Sequence, residues 1–70
     1  MRICDFTKPE LDHFREQCNF TDAEMLAFNM KAKDCTNIQI AMELSVSEST
    51  VAVIMRRVRT KIARILGWEA

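Results

Sequence analysis

Five basic side chains follow one another closely near the end of the chain, with no acidic residue among them between Ser49 and Leu66: Arg56, Arg57, Arg59, Lys61 and Arg64. The net charge of the whole chain is zero, but residues 36–70 contain five Lys/Arg and three Asp/Glu, whereas residues 1–35 contain five and seven. Like charges on one helix repel one another, so the run suggests an anionic partner. The alternative is a solvated helix face whose cations are favoured by the helix dipole near its C-terminal end.

The remaining polar residues do not form a recognisable catalytic motif. The sequence has no Ser/His/Asp set, no Gly-rich phosphate loop and no plausible carboxylate pair on a cleft. Cys4, Cys18 and Cys35 lack the short spacing of structural zinc sites, so we expect reduced, unpaired thiols. A Cys₃His zinc site that includes His13 is the alternative that this set of residues allows. We therefore predict a protein that is not an enzyme and has no metal or cofactor.

Length and composition favour one small helical domain. The chain has 70 residues, of which 49% are hydrophobic and 29% charged, with one Gly and one Pro. These values fit a folded domain, and the scarcity of turn residues disfavours a β-sandwich. The sequence shows no signal peptide and no segment long enough to span a membrane, which predicts a cytoplasmic protein without membrane contact.

Two capping boxes predict the first two helices. Thr7 is followed three residues later by Glu10, and Thr21 by Glu24, so that each threonine can cap a helix. The first helix is expected to end near Cys18. The second is expected to reach about Lys33, and its predicted core residues are Met25, Leu26 and either Met30 or Phe28.

The second half of the sequence predicts a short helix, a turn and a long helix. The short helix begins at Thr36 or Asn37, and its predicted buried residues are Ile40, Ala41 and Leu44. Ser45–Ser47 form the break, in which Val46 is expected to enter the core and Ser47 to cap the long helix. Five residues within an arc of about 80° form the predicted core stripe of the long helix: Val51, Ile54, Val58, Ile62 and Ile65. Its opposite face carries Ser49, Ala52, Val53, Arg56, Thr60 and Arg64.

This arrangement is typical of a helix-turn-helix. We therefore predict an all-α fold, a small four- to five-helix domain with a helix-turn-helix and a long C-terminal recognition helix. Residues 1–70 form one domain, with an accessory helix in residues 1–19 and the helix-turn-helix core in residues 20–66. Trp68 is interpreted as a packing lid on the first helix, with an interface anchor as the alternative.

The segment from Phe20 to Leu66 resembles the LuxR-type DNA-binding domain and, equally, region 4 of bacterial sigma factors. The matching residues are Thr21, Glu24, Thr36, Asn37, Ile40, Ala41, Leu44, Val46, Ser47, Thr50, Val51, Arg57, Val58, Arg59, Lys61 and Ile62. The resemblance implies a bacterial or phage transcription regulator that inserts its last helix in the major groove of double-stranded DNA. It implies base contacts from Ala52, Val53 and Arg56, and phosphate-contacting or capping roles for Thr36, Ser47 and Thr50. The predicted DNA-binding set is completed by Asn37, Ser49, Arg57, Arg59 and Lys61.

Two departures from the family pattern bear on this prediction. Asp34 occupies a turn position at which the family commonly has Gly, and Asp tolerates the left-handed conformation that such a turn needs. Ala52 and Val53 can contact only thymine methyl groups, because neither side chain donates a hydrogen bond. The alternative is therefore a protein-interaction module of the same fold that binds RNA polymerase or a regulatory partner. A homodimer is a further possibility that the sequence leaves open.

Overall fold

The computed structural model describes residues 2–67, which contain four α-helices and no β-strand. A short 3-10 helix at Ile3–Asp5 precedes α1 (Lys8–Gln17), α2 (Asp22–Ala32), α3 (Asn37–Leu44) and α4 (Glu48–Leu66). The long helix α4 packs against α1, α2 and α3, and α2 also contacts the 3-10 helix. The all-α prediction is confirmed, and α4 is the element that the other helices surround. The predicted role of Trp68 concerns a residue outside the described range.

Side-chain caps define where the helices begin. Both predicted capping boxes are present, at Thr7 with Glu10 and at Thr21 with Glu24. A third box, which the sequence reading missed, joins Thr36 to Gln39 at the start of α3. The Ser47 hydroxyl accepts the Thr50 N–H at 3.2 Å and so caps α4, as predicted. These bonds satisfy backbone donors that have no partner inside the helix.

The turns that end the helices use a left-handed residue. Positive φ angles occur at Asn19 (52°), Asp34 (62°), Ser45 (57°) and Gly67 (74°). Cys35, which follows Asp34, donates its N–H to the Met30 carbonyl at 3.0 Å. This hydrogen bond closes the turn after α2. The expectation that Asp34 can replace a glycine at this turn is therefore confirmed.

The core contains side chains from every helix. Its fully buried members include Phe14 of α1, Phe28 of α2, Ile40 of α3 and Val51 of α4. Ala41 is buried and Leu44 packs against the core, so the predicted stripe of α3 is confirmed. Phe28 is also buried, in agreement with one of the two alternatives for α2.

Two predicted core positions of α4 and its turn, Ile65 and Val46, are corrected by the structure. The buried stripe of α4 is Val51, Met55, Val58 and Ile62. Met55 is 1% exposed and Ile65 is exposed, whereas Ile54 is half-buried and packs against the edge of the core. The stripe is shifted towards Met55 because α1, α2 and α3 all pack on that side of α4. Val46 is exposed rather than inserted in the core. The left-handed Ser45 turns the chain away from α3 at this point, and the Val46 N–H donates to the Ala41 carbonyl at 3.0 Å.

The prediction for α2 is wrong at Leu26, which is exposed. Met25 and Met30 are half-buried, and the buried residues of this helix are Glu24, Ala27 and Phe28. The core face of α2 therefore includes a carboxylate. Apolar residues alone do not define that face, because Glu24 is part of it.

The cysteines are distributed over different parts of the fold. Cys18 is buried, Cys4 and Cys35 are half-buried, and all three are free thiols. Burial raises the pKa of the Cys18 thiol more than the positive charge of Lys61 lowers it. Between residues 2 and 67, no group of three or more His, Cys, Asp or Glu side chains is placed to hold a metal ion.

Within the described range, no single helix is both long and apolar enough to cross a membrane. Only α3 and α4 taken together meet the length and composition required, and the chain bends by 104° between them.

Candidate nucleic-acid interface

The bend between α3 and α4 has the geometry of a helix-turn-helix. Three residues, Ser45–Ser47, join the two helices, and the chain direction changes by 104°. Helix-turn-helix motifs have interhelical angles of about 90–120° and turns of three or four residues. Ile40 and Val51 are fully buried at the junction, so the angle is held by core packing. As a result, α3 packs against one side of α4 and leaves the opposite side uncovered.

The side of α4 that faces away from the core is continuously exposed. It carries, from its N-terminal end, Ser49, Ala52, Val53, Arg56 and Thr60. Arg56 and Arg57 lie on either side of Val53 on the helical wheel, because residues three and four positions apart are neighbours on a helix surface. Ala52, Arg56, Arg59, Thr60 and Ala63 line an open groove along this face. The predicted base-reading residues are thus exposed on one surface.

The hydroxyl groups near the start of α4 form a local network. Ser47 Oγ lies 3.0 Å from Thr50 Oγ1 and also accepts the Thr50 N–H. Both residues and Ser49 are exposed. The first backbone N–H groups of a helix have no intrahelical acceptor and favour anions such as phosphate. The exposed start of α4 is therefore suited to a phosphate contact through its backbone and its hydroxyls.

The side chains at the start of α3 are engaged within the helix or enclosed. The Thr36 hydroxyl accepts the Gln39 N–H at 3.2 Å, while Gln39 Oε1 accepts the Thr36 N–H at 2.8 Å. Asn37 Oδ1 is buried and has no hydrogen-bond partner in the described part of the chain. The capping role predicted for Thr36 is present, whereas the side-chain oxygen of Asn37 is enclosed.

Four of the five basic residues of α4 fall into two groups. Arg56, Arg57 and Arg59 are exposed and form no ion pair with any residue of the described range. Lys61 is different, because its side chain is only 28% exposed and its Nζ lies 2.5 Å from Glu24 Oε1. The ammonium group also donates to the Asn19 carbonyl at 3.3 Å and lies 6.0 Å from the centre of the Phe20 ring. Lys61 therefore joins α4 to α2 and to the turn before it.

The partner of Lys61 is a carboxylate within the core. Glu24 is 4% exposed, and burial by itself raises the pKa of its carboxyl group. Hydrogen bonds from Lys61 and from the Thr21 backbone, with the charges of Lys61 and Arg57, outweigh burial and hold the pKa below its usual value. Glu24 thus stays ionised and serves both the capping box and the ion pair. Sequence reasoning recognised only the capping role, since the ion pair joins residues 37 positions apart.

Comparison with known proteins identifies the same segment. The family model for bacterial regulatory proteins of the luxR family (GerE) matches residues 19–64. No curated protein and no solved structure matches the chain. The matched segment includes α2, α3 and nearly all of α4, and it leaves α1 and the 3-10 helix outside. The family consists of DNA-binding helix-turn-helix regulators and is not a family of enzymes. This chain belongs to the luxR family of bacterial regulatory proteins.

Proposed function

We propose that the protein regulates transcription by inserting the N-terminal half of α4 in the major groove of duplex DNA. The observation that carries the proposal is the exposed outer face of α4, on and beside which three arginines have no ion pair within residues 2–67 and no acid follows Glu48 in the helix. A major groove about 12 Å wide admits one α-helix of about 10–12 Å diameter. The 104° bend leaves this face uncovered by α3.

Within this arrangement, base contacts come from the part of the face that follows the first turn of α4. Ala52 and Val53 offer apolar contacts to thymine methyl groups, and Arg56 offers a bidentate donor pair to guanine. Arg57, Arg59 and the hydroxyls of Ser47, Ser49 and Thr50 contact phosphates, which position the helix without reading sequence. Thr36 lies at the start of α3 and adds a contact from the first helix of the motif, which crosses the DNA backbone.

Two residues from the initial set are left out of this proposed contact surface. Lys61 is engaged by Glu24 and by the Asn19 carbonyl, so a phosphate would have to break a half-buried ion pair to reach it. The Asn37 side-chain oxygen is enclosed at the start of α3. We assign both residues to the internal structure of the motif.

The test is the salt dependence of binding to random-sequence duplex DNA between about 50 and 200 mM salt, a range in which several phosphate contacts produce a steep slope. Replacing Arg57 by Ala should weaken binding to all sequences similarly and flatten the slope by about one unit. Lys8→Ala is the matched control, because it removes one cation from the exposed start of α1. A parent protein without salt-dependent DNA binding would contradict the proposal.

A second candidate function is binding to another protein, such as RNA polymerase, a regulatory protein or a second copy of the chain. It is favoured by apolar side chains that are exposed on the motif, with Met42 at 76%, Ile38 at 56% and Val53 at 41% exposure. Val53→Ser discriminates between the two functions in a binding experiment with DNA. Unchanged DNA binding by this variant, together with a flat salt slope for the parent, would favour the protein partner.

A further inference from the structure

Three cations from separate parts of the chain line one small cavity beside α4. Arg2 precedes the 3-10 helix, Lys31 lies in the last turn of α2, and Arg59 lies in the middle of α4. The cavity has a volume of about 90 Å³, and its other lining residues are Ile3, Cys4 and Asp34. Asp34 is the carboxylate among the lining residues, and Cys4 together with the nearby Asp5 carboxylate raises the pKa of Arg2, so two carboxylates oppose three cations.

The charges in this cavity are incompletely balanced. Arg2 forms an ion pair with Asp34, in which the guanidinium nitrogen and carboxylate oxygen are 3.5 Å apart. Both side chains are mostly exposed, and exposed pairs of this kind are weak and easily exchanged. Lys31 and Arg59 have no ion pair within residues 2–67. The cluster can bind an anion, and Arg2 can release the Asp34 carboxylate to pair with that anion.

The cluster is continuous with the proposed DNA-binding face. Arg59 lines this cavity and also the open groove that contains Ala52 and Arg56. It follows Val53 by six residues, which corresponds to about 9 Å along the helix axis at 1.5 Å per residue. The cluster therefore adjoins the C-terminal side of the proposed base-reading region.

We propose that Arg2, Lys31 and Arg59 form an additional phosphate clamp for duplex DNA, and this proposal rests on the DNA-binding function proposed above. Two of the three residues belong to the family-matched segment, whereas Arg2 belongs to the N-terminal segment outside it. The N-terminal segment therefore extends the DNA contact surface of this chain beyond the helix-turn-helix. Asp34 holds the Arg2 side chain at the clamp while no DNA is bound.

The first test compares the salt slopes of DNA binding for Arg2→Ala and Lys31→Ala with that of Lys8→Ala. Each of the two clamp variants should flatten the slope by about one unit, while the control keeps the slope of the parent. If the parent binds DNA with a steep salt dependence and both clamp variants show the same slope, the clamp is contradicted. The proposed DNA-binding function is then unaffected. A parent without salt-dependent binding would overturn both proposals.

The second test removes the competing carboxylate. Asp34→Asn keeps a residue that tolerates a positive φ and deletes one negative charge beside Arg2. We expect tighter binding to random duplex DNA, and a smaller gain when the substitution is made in the Arg2→Ala background, because the two residues are coupled. An equal gain in both backgrounds would show that Asp34 acts only through the overall charge and would contradict its role at the clamp.

The third test uses Cys4 as a reporter, since its Sγ lies 3.8 Å from the Arg2 guanidinium and 3.6 Å from Asp34 Oδ1. Saturating duplex DNA should slow alkylation of Cys4 by iodoacetamide, measured by mass spectrometry, because bound DNA covers the cavity. Inorganic phosphate at the same ionic strength is the comparison and should protect less. An unchanged alkylation rate with DNA, or equal protection by free phosphate, would overturn the assignment to DNA.

Discussion

Lys61 of α4 and Glu24 of α2 form an ion pair, with 2.5 Å between the ammonium nitrogen and the carboxylate oxygen. The same carboxylate accepts the Thr21 N–H at 3.0 Å, so one side chain both caps α2 and holds α4. Helix α4 carries the proposed DNA contacts, and its position relative to α2 depends in part on this pair.

The first prediction is that Glu24 and Lys61 stabilise the fold as a coupled pair. Lys61→Met leaves a buried carboxylate without its cation, and we expect it to lower the free energy of unfolding by about 1.5–3 kcal/mol. Glu24→Gln keeps an acceptor for the capping box and removes the charge. A double-mutant cycle measured by urea denaturation should give a coupling energy of about 0.5–3 kcal/mol. Lys8→Met is the control for the loss of one lysine charge. Additive effects of Lys61→Met and Glu24→Gln on the free energy of unfolding would contradict the coupling.

The second prediction concerns pH. The pKa of Glu24 is lower in the folded protein than its ordinary value of 4.5, so the ionised form stabilises the fold. This contribution is fully present above pH 4.5 and is lost as the pH falls through the lower, folded-state pKa. Urea denaturation of the parent and Glu24→Gln across acidic pH should therefore show their stabilities converging as the pH falls. A constant difference between the two proteins would show that Glu24 does not contribute through its charge.

The third prediction separates two neighbouring residues of α4. Met55 is fully buried, so Met55→Ala should cost about 2–5 kcal/mol of stability. Ile54 is half-buried, so Ile54→Ala should lower the free energy of unfolding by clearly less than Met55→Ala does. Thermal melts of the two variants test this order. A larger loss for Ile54→Ala would restore the core stripe expected from the sequence and would contradict the packing of α4 in the structure.

The fourth prediction concerns sequence recognition. If Arg56 donates a bidentate pair to guanine, Arg56→Ala should lose about 1–3 kcal/mol on a preferred site selected from random DNA and much less on random duplex. Arg57→Ala is the matched comparison, because loss of a phosphate contact weakens binding to both DNAs alike. Competition binding with the two DNAs measures the difference. An equal loss on both DNAs for Arg56→Ala would make Arg56 a phosphate contact.

The sequence by itself determined the helices and their order. Caps at Thr7, Thr21 and Ser47 are local signals, because each involves a bond to a backbone group three residues away. The same is true of the left-handed turn at Asp34, whose tolerance for positive φ is a property of one residue. The resemblance of the segment from Phe20 to Leu66 to the LuxR-type domain then identified the helix-turn-helix, which the family match confirms.

Only the tertiary structure decided which side chains are buried in the core and which remain exposed on the outer face of α4. Lys61 belongs to the same basic run as Arg57 and Arg59, but its environment is set by Glu24, a residue from another helix. Likewise, helical periodicity alone favoured Ile54, whereas the packing of three helices on α4 buries Met55. Burial and ion pairing depend on contacts between residues far apart in the chain, and a helical pattern describes only the neighbours within one helix.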